Sequence, residues 1–571
     1  MRAIAEVTGL LQALPQLHPV DVQLATTLLR RGNEQGERGL ALALGVALCS
    51  RALRDGHGGI ELEQAAAQSV DVQGETAHEL LRDLPLHDVS WWRAHLVSSA
   101  LVGDGRTMTP LVLRDGLLQM HRYFAAESRI ARRITALLAL PMAAGMRGFS
   151  IVTGGPGTGK TTLVAKMLVE LVQTVPGMRI ALAAPTGKAA ARLTESIRAR
   201  IASLREAREG LQPLGDGSLG SGLLDLEAKT LHRLLKYSVG TDSFRACAEH
   251  PLEHDLVIVD EASMVDVLLL DALLKALKPG ARLMLVGDHN QLASVDAGDV
   301  LGVLCRAAHE GGQGTALHDS VTWLTHSWRH DARPGIGALA SAILSGQPTA
   351  AIARLADAAT PEVRIVSSAV GDALLQSVLP HLERCLAAPS VEALLDALDA
   401  FRLLSPEREG RSGVRGLNQL VERWLARHGR SVHDTFYHGR PVLVTANDYA
   451  TRVFNGDIGV AWRTDGRTAV HFRGVDGSIR AIAPGRLPVV ETAWAMTVHK
   501  SQGSEFDDVV VVLPDAESRV MSRELLYTAV TRARRSVTVI GSEHSVHDAV
   551  RRATVRTSGL GFRLAELCGA S

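Results

Sequence analysis

Apolar residues return at helical spacing through LATTLLRRGNEQGERGLALALGVAL (24–48), and RDGHGG (54–59) interrupts the pattern. This predicts a helical N-terminal domain over residues 1–115, a packing or partner-docking module without a chemical motif of its own. From about 148 the texture changes. Short apolar runs, GFSIVTG, RIALAAPT, LVIVDEA, ARLMLVGD and VTWLT, alternate with helical stretches, which predicts a parallel sheet with helices on both faces. Residues 204–228, rich in glycine and polar side chains, read as a loop or small insertion. A second α/β texture follows, with RLLSP, DVVVVLP and VTVIG as strands. Within it PVLVT, GVAW, TAVHF and SIRAIA are short, alternating and separated by Asn-Gly-Asp and Asp-Gly turns, the pattern of a small antiparallel barrel. The expected division is 1–115, 116–350 and 351–571, with the β insertion at 433–490.

Composition narrows the partners more than the fold. The 571 residues exceed what one core serves. Hydrophobic residues at 46% and charged ones at 21% fit a soluble globular chain. Lys+Arg and Asp+Glu each total 61, so bulk charge gives no hint of nucleic acid and argues against a simple DNA-coating protein. Five scattered cysteines, with no CxxC pair, fit a reducing cytoplasm and free thiols. MRAIAEVTGLLQAL carries Glu6 within its apolar run and is no convincing signal peptide. The apolar stretch from Ile134 to Met146 is too short to span a bilayer and contains Pro141.

The chemistry starts at GGPGTGKTT, residues 154–162, which matches G-x-x-x-x-G-K-[ST] between a strand and a helix. Glycines there let backbone N–H groups and the helix terminus point at phosphate. Gly154, Gly155, Pro156, Gly157, Thr158, Gly159, Lys160, Thr161 and Thr162 are the expected ATP-binding residues. Lys160 would reach the β- and γ-phosphates, and the Thr161 hydroxyl would ligate Mg2+. LVIVDEAS ends a strand in two carboxylates: Asp260 as a second Mg2+ ligand, and Glu261 to orient and deprotonate the attacking water. LMLVGDHNQL sets Asp288 and Gln291 at the same sheet edge, where an amide can bond both γ-phosphate and water. Phosphoryl transfer needs further cationic stabilisation, for which Arg329 (SWRH) and Arg532 (YTAVTRAR) are the candidates. The residues read alone therefore give an NTPase.

Together with APTGKAAARL (184–193), TLHRLL (230–235), VIVDEASMVD (257–266), VGDHNQLASVDAGDVL (286–301), SWR (327–329), TVHKSQGSEF (497–506) and YTAVTRAR (527–534), this set resembles the ordered motifs of superfamily I helicases. VDEASMVD, TVHKSQGSEF and GRPVLVTANDYATRVFNGDIG (439–459) are closer still to the RecD family, the alpha subunits of bacterial exodeoxyribonuclease V. The resemblance implies two RecA-like domains clasping ATP with DNA lying across both. It puts Lys160, Thr161, Asp260, Glu261, Gln291, Arg329 and Arg532 at the nucleotide, and Thr186, Thr230, His232, Thr497 and His499 at single-stranded DNA. It further implies 5′ to 3′ movement and an SH3-like insertion at 433–490, from which Asn455 approaches the strand. RecB-like and RecC-like partners are implied too, the latter met by the N-terminal domain, with a role in double-strand-break processing. Nuclease activity would belong to the holoenzyme. A stand-alone repair helicase and a scaffold with a decayed ATPase are the alternatives. No adenine-reading glutamine motif stands just before Gly154; Gln119 and Tyr123 are the nearest candidates. The N-terminal 110 or so residues are expected to be removable without loss of the ATPase fold.

Overall fold

The computed structural model describes residues 4–68, 84–143, 145–209, 226–238, 240–329, 334–367, 371–448, 450–474, 477–514, 518 and 520–568. Of the loop expected at 204–228, residues up to Glu209 continue a helix from Gly187, and 210–225 lie outside the described residues.

The N-terminal region is helical as expected, with helices Ile4–Gln12, Pro19–Gly32 and Gly36–Arg54 around one core. Gly36–Arg54 is buried continuously from Gly39 to Ser50, because its neighbours cover it on every side. A small sheet joins it, in the order Ile60–Glu61, Leu117–Met120, Leu111–Arg114, Val102–Gly103. Strands of two to four residues are too short for a period-two pattern to register in sequence.

The first α/β unit is a six-stranded sheet of β1 (Phe149–Gly154), β2 (Ile180–Ala184), β3 (Lys229–Thr230), β4 (Leu256–Val259), β5 (Arg282–Gly287) and β6 (Val321–Leu324). The order is β6-β1-β5-β4-β2-β3, all parallel. The second unit has β7 (Val363–Val366), β8 (Phe401–Ser405), β9 (Ala495–Thr497), β10 (Phe506–Val512) and β11 (Ala533–Ile540), in the parallel order β7-β11-β10-β8-β9. Helices bury both faces of each sheet, which explains why the strands read as unbroken apolar runs. The insertion is a five-stranded antiparallel sheet, Pro441–Val444, Ile458–Thr464, Arg467–Arg473, Ile479–Ile482 and Val490–Thr492, around Val442, Val444, Val470 and Phe472.

One course of the chain had no signal in sequence. After the second sheet, residues 554–568 return to the first unit, where Leu560 and Leu564 enter its core beside Ala126, Ile130 and Leu304. On the way, Arg556 Nη1 donates to the carbonyls of Ser294, Asp296 and Gly298. Thr557 bonds both His57 and Gly58 of the N-terminal region. Arg563 donates to Glu127 at 2.6 Å and to Gln119 at 2.7 Å, and its guanidinium lies 4.3 Å over the Phe124 ring.

Candidate active site

At the end of β1 the chain turns through Gly155–Gly159 into helix Lys160–Thr174. Gly157 and Gly159 hold φ of 76° and 90°, and a Cβ on Gly157 would lie 2.3 Å from Arg329 Cβ, so only glycine fits that crossing. Ser327 Oγ donates to the Pro156 carbonyl at 2.9 Å, joining the SWR loop to the phosphate loop. Thr158 Oγ1 donates to the Gly155 carbonyl at 2.8 Å. Lys160 Nζ lies over the loop, donating to the carbonyls of Gly154 and Gly155 at 2.6 and 3.0 Å. Thr161 and Thr162 form the first helical turn, half-buried. Together these residues wall one side of a cleft of about 360 Å³.

The opposite side comes from the neighbouring strand ends. Asp260 and Glu261 follow β4, and the Glu261 N–H donates to Asp260 Oδ1 at 2.9 Å. Glu261 adopts φ 52°, a left-handed turn that brings the two carboxylates into the cleft together. Burial, and then the charge of Glu261, push the Asp260 carboxyl up to about 6. Asp288 and Gln291 follow β5 and line the same cleft. A hydroxyl on the helix's first turn, a carboxylate at a strand end, an ammonium and free helix N–H groups form a donor set that fits a magnesium-bound nucleoside triphosphate.

Arginines close the cleft from two directions. Arg329 follows β6, and Arg532 follows helix Arg523–Val530 of the second unit. Buried Arg532 is fixed by its own hydrogen bonds to the carbonyls of Thr528 and Ser504. Glu505, from TVHKSQGSEF, bonds Arg329 Nη2 at 2.7 Å and Arg534 Nε at 3.2 Å, with Arg192 at 3.4 Å. Burial raises the Glu505 carboxyl, but Arg329 and Arg192 overcome this and hold it down to about 2.

Of the residues expected at DNA, Thr186, Thr230, Thr497 and His499 stand at or just past strand ends of the two sheets, His232 in the short helix after Thr230, and Asn455 in the insertion. Thr186 follows β2 and accepts from the Ala189 N–H at 3.2 Å. Thr230 pairs beside Ala184 and caps helix Leu231–Leu234. His232 packs its ring 5.3 Å from Tyr237 and 5.7 Å from Phe244. Phe454, next to Asn455, lies 3.3 Å from where a Cβ on Gly187 would stand, so the insertion meets the Thr186 loop. Thr497 ends β9 and accepts from the Lys500 N–H, and half-buried His499 follows it. Burial lowers the His499 pKa, helped by the charges of Arg556 and Arg408.

Gln119 is a correction. It is buried between Gly58, Glu127 and Arg563, outside the cleft, and its amide serves the returning 554–568 segment. Tyr123 packs against the first unit's core rather than lining the cleft. Sequence reasoning also passed over Trp328, which is 68% exposed beside the phosphate loop, 4.0 Å from where a Cβ on Gly159 would stand. It passed over Arg192 and Tyr527 too, although both stood inside motifs already quoted; neither has a spacing that separates it from surface or core.

A phosphate loop, paired carboxylates and arginines reaching in from both RecA-like units define a P-loop NTPase whose nucleotide site is shared by its two units. Residues 13–118 match the family described as RecBCD enzyme subunit RecD, N-terminal domain; residues 139–297 match an AAA domain, and 492–540 a UvrD-like helicase C-terminal domain. The RecBCD enzyme subunit RecD of Mycobacterium tuberculosis is 39% identical over 98% of this chain and 97% of its own length. That of Mycolicibacterium smegmatis is 40% identical over 97% of this chain and 99% of its own. The ATP-dependent RecD2 DNA helicase of Deinococcus radiodurans is 32% identical over 76% of this chain but 55% of its own length. The chain belongs to the RecD family, and it is an ATP-dependent DNA helicase.

Proposed function

We propose that this chain is the motor subunit of an exodeoxyribonuclease V, moving 5′ to 3′ on single-stranded DNA beside RecB-like and RecC-like subunits during double-strand-break processing in the cytoplasm. The observation that carries the reading is Glu505. It bonds an arginine of each unit in the ATP cleft, and it lies six residues after His499, in the motif that faces DNA by resemblance. Grip on the strand and geometry at the nucleotide therefore share one short segment.

Bound ATP would supply the phosphoanhydride, and Mg2+ would help neutralise the charge on its γ-phosphoryl group. Lys160 and the helix N–H groups would hold the phosphates, while Thr161 and Asp260 would provide metal ligands. Glu261 takes the proton of the attacking water, and Arg329 and Arg532 face the charge that develops. Trp328 offers an exposed aromatic face to the base, a part that neither Gln119 nor Tyr123 is placed to play. Thr186, Thr230, His232, Asn455, Thr497 and His499 would line the strand's path.

The stand-alone alternative has less support. The mycobacterial RecD subunits are 39–40% identical over 97–98% of this chain, whereas the Deinococcus relative is 32% identical over 76% of it. The test is unwinding of 5′- and 3′-tailed duplexes by the chain with and without candidate partners, together with their co-purification. Preference for a 3′ tail would overturn the polarity, and full activity without partners would favour the stand-alone reading. Lys160→Gln should abolish DNA-stimulated ATP hydrolysis without lowering the melting temperature. Normal turnover in that variant would remove the phosphate loop from the reaction.

A further inference from the structure

Asp288 Oδ2 accepts two hydrogen bonds, from Gln291 Nε2 at 3.1 Å and from the Tyr527 hydroxyl at 2.9 Å. Asp288 and Gln291 belong to the first unit; Tyr527 stands on helix Arg523–Val530 of the second, five residues before Arg532. The Tyr527 hydroxyl also lies 3.0 Å from where a Cβ on Gly155 would stand, so it touches the phosphate loop as well.

A carboxylate offers only acceptors, and that decides which end of the Gln291 amide faces it. The NH2 group points to Asp288, and Oε1 is the end left over. Gln291 is 6% exposed, and its Oε1 is buried with no hydrogen-bond partner among the described residues, at the wall shared with Lys160 and Glu261. A buried amide oxygen is rarely left unbonded without a reason. Turning the amide over would set that oxygen against the carboxylate.

The second unit has other holds on the same loop. Thr528 Oγ1 accepts from the Leu292 N–H at 3.0 Å, and Gln502 Nε2 donates to the Leu292 carbonyl at 2.9 Å. These two pin the loop's backbone. Tyr527 is the one of the three that acts on the side chains, through Asp288.

We propose that Asp288 and Tyr527 are positioning residues that present the Gln291 carbonyl oxygen to the attacking water, and that the arrangement is complete only when the second unit docks Tyr527. The inference rests on the ATP-driven reading above and names how its two halves agree on when to hydrolyse. Gln291 accepts an O–H of the water while Glu261 removes the other proton. Tyr527 transfers none, since burial and the neighbouring Asp288 hold its hydroxyl well above the usual phenol range.

The test compares the full chain with its Tyr527→Phe, Asp288→Asn and doubly substituted forms, reading ATP turnover with saturating oligo-dT, KM for ATP, and melting temperature. Tyr527→Phe keeps the ring and removes only the hydroxyl; Asp288→Asn gives Gln291 a neighbour that no longer dictates its orientation. Each single change should lower kcat about tenfold with KM within about twofold, and the double change should be no worse than the more severe single one. Turnover of Tyr527→Phe within about twofold of the parent would overturn the proposal. So would losses that multiply in the double variant, or a loss carried by KM. A parent chain with no DNA-stimulated turnover would instead sink the ATP-driven reading itself, and this inference with it.

Discussion

Glu505 shows how one side chain carries more than its own position predicts. A carboxylate so buried would ordinarily resist ionising, yet the surrounding guanidinium groups keep it charged. An acid whose pKa falls on folding adds stability that is complete above its ordinary value of 4.5 and is lost as pH falls toward about 2. The size of the shift corresponds to roughly 3 kcal/mol at neutral pH. Glu505→Gln should therefore melt well below the parent at pH 6, and the gap should narrow as the pH is lowered from 5 to 3. A gap that stays constant over that range would mean that Glu505 contributes by shape and not by charge. At this scale the sequence was legible wherever chemistry needs a fixed spacing: Lys160, Thr161, Asp260, Glu261 and Gln291 all line one cleft. It was silent on Tyr527, because a tyrosine on an apolar helix looks like core until the partner carboxylate is known to lie opposite.

Among elements, the strands were the easiest to foresee, since parallel strands buried on both faces need runs such as LVIV and VVVV. Helix Leu560–Cys568 was not, because its destination depends on three side chains far away in sequence. Glu127 is wholly buried and accepts from Gln119, Ser558 and Arg563. Removing the arginine strands that carboxylate in an apolar setting, a change of the kind that costs about 3–5 kcal/mol. Arg563→Ala is expected to lower the melting temperature by several degrees, and Glu127→Gln combined with Arg563→Met to restore much of it. Melting curves for the three proteins decide the matter; an unaltered Arg563→Ala protein would show that the helix is only loosely seated.

For the molecule as a whole, the contacts bear on whether the N-terminal region is separable. Helical texture without motifs suggested a detachable docking module. In the structure Gly56 bonds Gly298, His57 and Gly58 bond Thr557, and Gln119 bonds Arg563, so the N-terminal region is tied both to the loop after Gln291 and to the returning segment. Deleting residues 1–110 should therefore lower solubility and ATP turnover, and not only partner assembly. A truncated chain that melts and hydrolyses ATP like the parent would restore the modular view.

The returning segment also sets an order of events at the ribosome. His57 meets Thr557 across 500 residues, and Glu127 meets Arg563 across 436. Loop closure over such distances is slow compared with local helix formation. While synthesis proceeds, the N-terminal helices can pack early and Gln119 can already bond Gly58 and Glu127, but the bonds of His57, Gln119 and Glu127 to the returning segment form only when residues beyond 556 have emerged. The nascent protein thus passes through a long interval in which its N-terminal region is folded but not yet fastened to the rest of the chain.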